Sequence, residues 1–205
     1  SVQEVEEWAD QTALGGVPIP GDIKYMDLTN DGIVDEKDRA PLGIGQAPEL
    51  TFGMKAQINY KWFDLSAFLN GAAKRNVYQS GLGVWSNTDN FTEYMKDAWT
   101  SEKFVAGEAI TYPRLGNESS NFILSDYWIA DGSYIRLRNV EIGFTLPNRV
   151  SRLISANTIR FYANGINLLV WDKLSNDGFD PESANAANAN YPILKAYNFG
   201  VSVKF

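Results

Sequence analysis

The chain has 205 residues, of which 44% are apolar and 13% aromatic, and a net charge of −7. It has neither cysteine nor histidine, which removes disulfides, thiol and imidazole catalysis, and Cys/His metal centres. Its acidic balance excludes a nucleic-acid-binding surface, which needs clustered Lys and Arg. No apolar run is long enough for a helical membrane span, a test that is blind to β-barrels because their strands alternate.

Residues 1–48 are rich in Gly, Pro and Asp and read as loop, with one helical turn near Val5–Ala9. Ser1–Gly16 is acidic and polar where a secretory signal would be basic and then apolar, so a mature or internal piece is expected. Patterned segments begin after Pro48. In Thr51–Tyr60, Phe52, Met54, Ala56, Ile58 and Tyr60 alternate with Thr51, Gly53, Lys55, Gln57 and Asn59, the period of a strand. In the following segment Phe63, Leu65, Ala67 and Leu69 oppose Asp64, Ser66 and Asn70, with Phe68 as the exception. So short a link predicts a tight antiparallel hairpin.

Ala73–Gly132 is irregular and contains Trp85, Trp99 and Trp128. Such indoles can stack sugars, but anchoring the loop to itself is the expected role. Ser133–Leu146 is a long strand with Val140, Ile142, Phe144 and Leu146 on one face. Arg136 and Arg138 fall on that same face in its first half, as they would if the strand began in water. A short link leads to the strand Thr158–Trp171. After an Asn/Ala-rich loop, Tyr197, Phe199, Val201, Val203 and Phe205 alternate to the end.

The connections run long, very short, long, short, long. In an antiparallel meander this puts every long connection at one end, the layout of outer-membrane barrels. Strands of about 9–11 residues suit a membrane better than the mode of about 5–6 in soluble sheets. Tyr60, Trp62, Trp171 and Phe205 cap the apolar faces as interfacial girdles do. The predicted fold is therefore all-β, an antiparallel transmembrane β-barrel segment with extracellular loops. Residues 1–48 form a loop region and 49–205 the barrel strands. Five strands cannot close and would leave raw edges in lipid, so a C-terminal piece, or pairing with another chain, is expected. The alternative is a secreted, calcium-stabilised β-sandwich that binds carbohydrate. It also gives alternation but does not account for the aromatic ends.

The most specific local motif is Asp27–Asp38, DLTNDGIVDEKD. Oxygen-bearing side chains at Asp27, Thr29, Asp31, Asp35 and Asp38, Gly32 at the sharp turn and the Ile33 carbonyl match an EF-hand calcium loop, with Asp in place of the final Glu. Ca²⁺ is expected, or Mg²⁺, bound weakly and in a structural role; Asp22 and Glu36 add charge nearby. Gly43-Ile44-Gly45 is a turn, because Pro48 follows where a third glycine and a helix should stand. Asp126, Asp131 and Glu141 show no spacing that singles out a catalytic pair, and no enzyme activity is expected.

These segments together resemble a family. Pro20–Gly43, Pro48–Gly53, Tyr60–Ala72, YPRLG at Tyr112–Gly116, Ser125–Pro147, NGINLLVW at Asn164–Trp171, Asp180-Pro181-Glu182 and the closing aromatic strand look like the C-terminal part of SusC/RagA-type TonB-dependent outer-membrane transporters. The resemblance implies the last five or so strands of a barrel of about 22 in a Gram-negative outer membrane, and a plug in the remaining part of the transporter. It also implies energy from TonB through an N-terminal segment, a SusD-like surface lipoprotein, and oligosaccharide or peptide as cargo. The Asp27–Asp38 loop carries over as a cation site, with Thr29 standing where Asn is more usual.

Overall fold

A computed structural model describes residues 1–81, 84–86, 91–117, 119–174, 180–182 and 193–205. The chain divides into two units. One takes Ser1–Gly45 and Val77–Ala130; the other takes Gln46–Asn76, Asp131–Glu182 and the C-terminal strand. The first long stretch thus belongs with the second long connection, a grouping that no local pattern announces.

The second unit is a five-stranded antiparallel sheet. Its strands are β1 (Leu50–Tyr60), β2 (Phe63–Ala73), β5 (Tyr134–Thr145), β6 (Thr158–Asp172) and β7 (Ala196–Lys204), in the order β1-β2-β5-β6-β7. Two further strands, β3 (Asn76–Tyr78) and β4 (Ile129–Asp131), pair separately where the chain leaves and re-enters this unit. The predicted meander is present, and every predicted strand takes its place in chain order. At the β1–β2 turn Lys61 adopts a φ of 54°, the left-handed geometry that two-residue hairpins require. β1 and β7 have no partner on their outer sides among the described residues.

Register keeps like with like. Tyr60, Phe63, Phe144 and Phe161 lie across from one another, as do Ile58, Leu65, Ile142 and Ala163. The Phe63 and Phe144 rings are 4.8 Å apart, a cross-strand aromatic pair of about 0.5–1.5 kcal/mol beyond area burial. Nothing among the described residues buries this face as a sandwich would: Met54, Ile58, Phe63, Ile142, Trp171 and Phe199 are all exposed, Phe199 by 82%.

The opposite face is polar. Arg160 on β6 reaches across β5 to β2, where its Nε lies 2.9 Å from Asp64 Oδ1, and its Nη2 also donates to Glu141 at 2.7 Å. This crossing passes over Gly143, where any Cβ would strike both Asp64 and Arg160. Phe68, the exception in the alternation, also lies on this side, its ring over Gly53. A single glycine at each crossing lets a long side chain lie flat on the sheet.

The face change within β5 has a different cause from the one expected. Register slips by one residue at Arg138 against β2, and again against β6 where Asn167 has a φ of 54°. These are β-bulges, and a one-residue slip moves every later side chain to the other face. Ile135 and Leu137 therefore rejoin Val140 and Ile142, opposite Trp171 and Leu169. Arg136, far from projecting into water, is only 3% exposed.

The first unit has little regular structure. Helix α1 (Val2–Glu7) begins earlier than expected because Ser1 and Glu4 form a capping box. Helix α2 (Ser101–Ala106) is closed by Gly107 at a φ of 68°. The core is aromatic. Trp128 is fully buried, its ring centroid 5.8 Å from Tyr112 and 4.9 Å from Tyr127, and its Nε1 donates to the Asn121 carbonyl at 2.9 Å. The Trp85 ring is tilted against Phe122, their centroids 5.4 Å apart. Burial raises the Tyr112 hydroxyl to about 12, so it stays a donor, here to the Val84 carbonyl at 2.6 Å. Trp85 and Trp128 anchor the loop to itself, as expected, whereas Trp99 meets both Phe104 of the loop and Gly21 of the first stretch. No helix among the described residues is long and apolar enough to cross a membrane.

Candidate functional site

Three arrangements of polar side chains are built into the two units. The first is the Asp27–Asp38 loop. Gly32 and Asn30 take φ values of 82° and 56°, which fold the loop back on itself. Asp38 gathers it: its Oδ1 accepts from the Leu28 and Thr29 amides at 2.8 and 3.0 Å, and its Oδ2 from the Asp35 amide at 2.8 Å. These donors, Asp35 and Thr29 foremost, hold the Asp38 carboxyl below its usual range. Thr29 Oγ1 sits 3.3 Å from Asp27 Oδ1 and 3.2 Å from Asp38 Oδ1. Asp27, Thr29 and Asp38 are thus brought together. Asp31 instead accepts from the Ile33 amide and Asp35 from the Lys37 amide. Among the described residues no set of three or more acidic side chains is assembled for a metal ion. The donor chemistry, all oxygen, suits a hard cation. A β-bridge from Asp10 to Ile33 ties the loop to the N-terminal stretch.

Asp22 and Glu36 serve other ends than loop charge. Glu36 pairs with Arg39 at 2.6 Å. The Asp22 side chain is 4% exposed and takes Arg114 Nε at 2.6 Å and Asn121 Nδ2 at 2.8 Å, while Asn121 Oδ1 accepts the Ile23 amide. Gly21, at a φ of 94°, lies against the Trp99 ring. One buried carboxylate therefore joins the first long stretch to the second.

The third arrangement lies on the polar face of the sheet, and spacing alone did not locate it. Arg136 Nη2 lies 2.6 Å from both oxygens of Asp180, and Arg138 Nη2 lies 2.5 Å from Glu182 Oε1. Asn70 and the Tyr134 hydroxyl donate to the same Glu182 oxygen at 3.1 and 2.9 Å. Arg75 Nη1 donates to the Pro181 carbonyl at 3.0 Å. Burial works to raise the Glu182 pKa, but the donors Asn70 and Tyr134 and the two guanidinium charges outweigh it and hold the carboxyl low. The tripeptide Asp180-Pro181-Glu182 is thus fastened to β2 and β5 at the bulge. The available signal was the phase break that put Arg136 and Arg138 on the wrong face.

Two of the three acids considered for catalysis are engaged elsewhere. Glu141 is held by Arg160, and Asp131 by the Ser133 hydroxyl and amide and by Lys173 at 2.9 Å, which lower its pKa to about 2.

No family model matches the chain. It is 29% identical over 200 residues, 95% of its length, to TonB-dependent receptor P26 of Formosa agariphila, and 28% identical over 94% of its length to TonB-dependent receptor P3 of the same organism. It is 25% identical over 91% of its length to TonB-dependent receptor SusC of Bacteroides thetaiotaomicron. The chain spans about a fifth of the length of these relatives (20, 20 and 18%). In fold it matches the RagAB peptide importer in its closed-closed state, with a TM-score of 0.65 at 21% identity, covering 91% of this chain and 21% of the other. A further RagAB structure, described as a peptide transporter, gives a TM-score of 0.62 at 22% identity over 77% of this chain and 17% of the other. Over most of its length, the chain is homologous to TonB-dependent receptors, SusC among them.

Proposed function

We propose that the chain is a wall segment of the barrel of an outer-membrane TonB-dependent importer. Its apolar face meets lipid, its polar face lines the lumen, and its long connections fall on the extracellular side. The observation that carries this reading is the inversion of the sheet: apolar side chains on all five strands are exposed, while charged side chains on the other face are paired and partly buried. A sheet with that distribution suits hydrocarbon as the solvent on its apolar side. The free edges of β1 and β7 would pair with further strands of a barrel of about 22. Homology to receptors of the TonB-dependent kind supports a plug and energy from TonB elsewhere in the assembly, and a SusD-like lipoprotein over the long loops.

The cargo is read as oligosaccharide or peptide. The Asp27–Asp38 loop is read as a weak structural Ca²⁺ site held by Asp27, Thr29 and Asp38, with Asp31, Asp35 and the Ile33 carbonyl as further donors. A dissociation constant of about 10⁻⁴–10⁻³ M is expected. Calorimetry on the purified complete protein should give that affinity and should show Asp27→Ala and Asp31→Ala weakened. Identical binding in these variants would overturn the assignment.

The importer reading is tested on the complete outer-membrane protein. It should need detergent for extraction, migrate differently on gels before and after boiling, and support TonB-dependent uptake of a labelled oligosaccharide or peptide. Solubility without detergent, with the apolar face sealed, would refute it.

A further inference from the structure

The acidity of the chain is unevenly placed. Between Glu141 and Asp172 there is no Asp or Glu, against Arg149, Arg152 and Arg160, and the last eleven residues carry two Lys and no acid. Antiparallel pairing brings these segments to one end of the sheet, the end of the short connections. The Thr145 amide donates to the Trp62 carbonyl at 2.8 Å, and the Asn157 amide to the Lys204 carbonyl at 2.7 Å. Lys61, Arg149, Arg152 and Lys204 therefore gather there. Arg160, on the polar face, is committed to Asp64 and Glu141. Among the described residues no carboxylate lies within ion-pair distance of the other four cations, and Lys61 is instead 5.3 Å from the Tyr60 ring centroid.

The link between β5 and β6 is not the plain loop its sequence suggested. Helix α3 (Asn148–Ser151) and a 3-10 turn (Arg152–Ile154) are locked from below. Ser151 is fully buried and its carbonyl accepts the Ala156 amide at 3.1 Å, while Ala156 and Ile159 pack inward. So held, the turn still presents Leu153 at 83% and Ile154 at 62% exposure, beside exposed Arg149 and Arg152. Large apolar side chains displayed on a rigid turn mark a contact surface. Basic residues alternating with them suit the boundary between acyl chains and phosphate headgroups.

We propose that this short-connection end is a docking surface for anionic glycerophospholipid. Leu153 and Ile154 enter the acyl boundary in continuity with the apolar face of the sheet, and Arg149, Arg152 and Lys61 hold lipid phosphates. The proposal rests on the membrane-inserted reading above. It fixes which end of the sheet faces the phospholipid leaflet: the end away from the long loops.

The test uses the complete protein in nanodiscs of phosphatidylcholine containing one-fifth phosphatidylglycerol. Lipids retained after gentle detergent release are counted by native mass spectrometry. Phosphatidylglycerol should be enriched over its bulk share. Arg149→Gln and Arg152→Gln should each reduce that enrichment about fivefold, the equivalent of about 1 kcal/mol per basic residue at an anionic surface. Inorganic phosphate should not displace the lipid. Enrichment equal in the double variant and the parent, or none in the parent, would overturn the proposal. The double variant should keep its boiling-dependent gel shift; loss of that shift in the parent protein would instead defeat the barrel reading.

Discussion

The Arg136–Asp180 pair permits a quantitative test of how the β6–β7 connection is held. The two side chains are 3% and 11% exposed, and one guanidinium nitrogen faces both carboxylate oxygens at 2.6 Å. Arg136→Met leaves Asp180 with the Glu182 amide donating to its Oδ1 but without its buried guanidinium. Removing one member of a buried ion pair costs about 3–5 kcal/mol. The Asp180 side chain keeps 11% of its surface in contact with solvent, so the lower end, about 3 kcal/mol, is expected. Removing both charges, as Arg136→Met with Asp180→Asn, should restore stability to within about 1 kcal/mol of the parent, because a buried pair contributes little beyond its own desolvation. The coupling between the sites is then about 2 kcal/mol or more. The assay is reversible urea unfolding of the complete protein from micelles, followed by tryptophan emission. Additive single effects, or an Arg136→Met variant within about 0.5 kcal/mol of the parent, would refute the account.

The sidedness of the sheet is tested by Ile142→Arg, which should cost about 2–4 kcal/mol in a bilayer-embedded strand. Asn164→Arg on the polar face should be tolerated; equal losses in bilayer refolding would deny the two-faced reading. Gly21→Ala should destabilise the first unit by about 2 kcal/mol or more, since a Cβ there meets the Trp99 ring at 2.5 Å from a left-handed backbone. Near-ultraviolet dichroism and melting would report it, and an unchanged melt would count against the packing described. Asp131 has a pKa of about 2, below its ordinary 3.8. The stability it lends is therefore complete above pH 3.8 and is lost as pH falls through about 2. The stability difference between parent and Asp131→Asn should follow that window, and a difference constant down to pH 2 would contradict it.

The amino-acid sequence by itself determined the strands. Period-two alternation in Thr51–Tyr60 or Tyr197–Phe205 records which face meets which solvent, and no partner is needed to read it. The lengths of the connections gave the meander, and the turn at Lys61 followed from having almost no chain to spend. The Asp27–Asp38 loop was legible as a motif, and Trp85 and Trp128 as anchors, because short spacings encode local geometry.

Tertiary structure alone decided the remainder. Whether Arg136 faces water or Asp180 depends on a one-residue slip against two neighbouring strands, and register is a property of pairs that no single strand displays. Asp22 looked like one more acid beside the Asp27–Asp38 loop, until a fold spanning 92 positions placed Arg114 against it. The link at Asn148–Ile154 read as a connector, because its exposed Leu153 and Ile154 acquire meaning only once Ser151 is seen locked beneath them. Charges and apolar groups declare their own preference for water; which partner relieves that preference is settled only when distant segments close into contact.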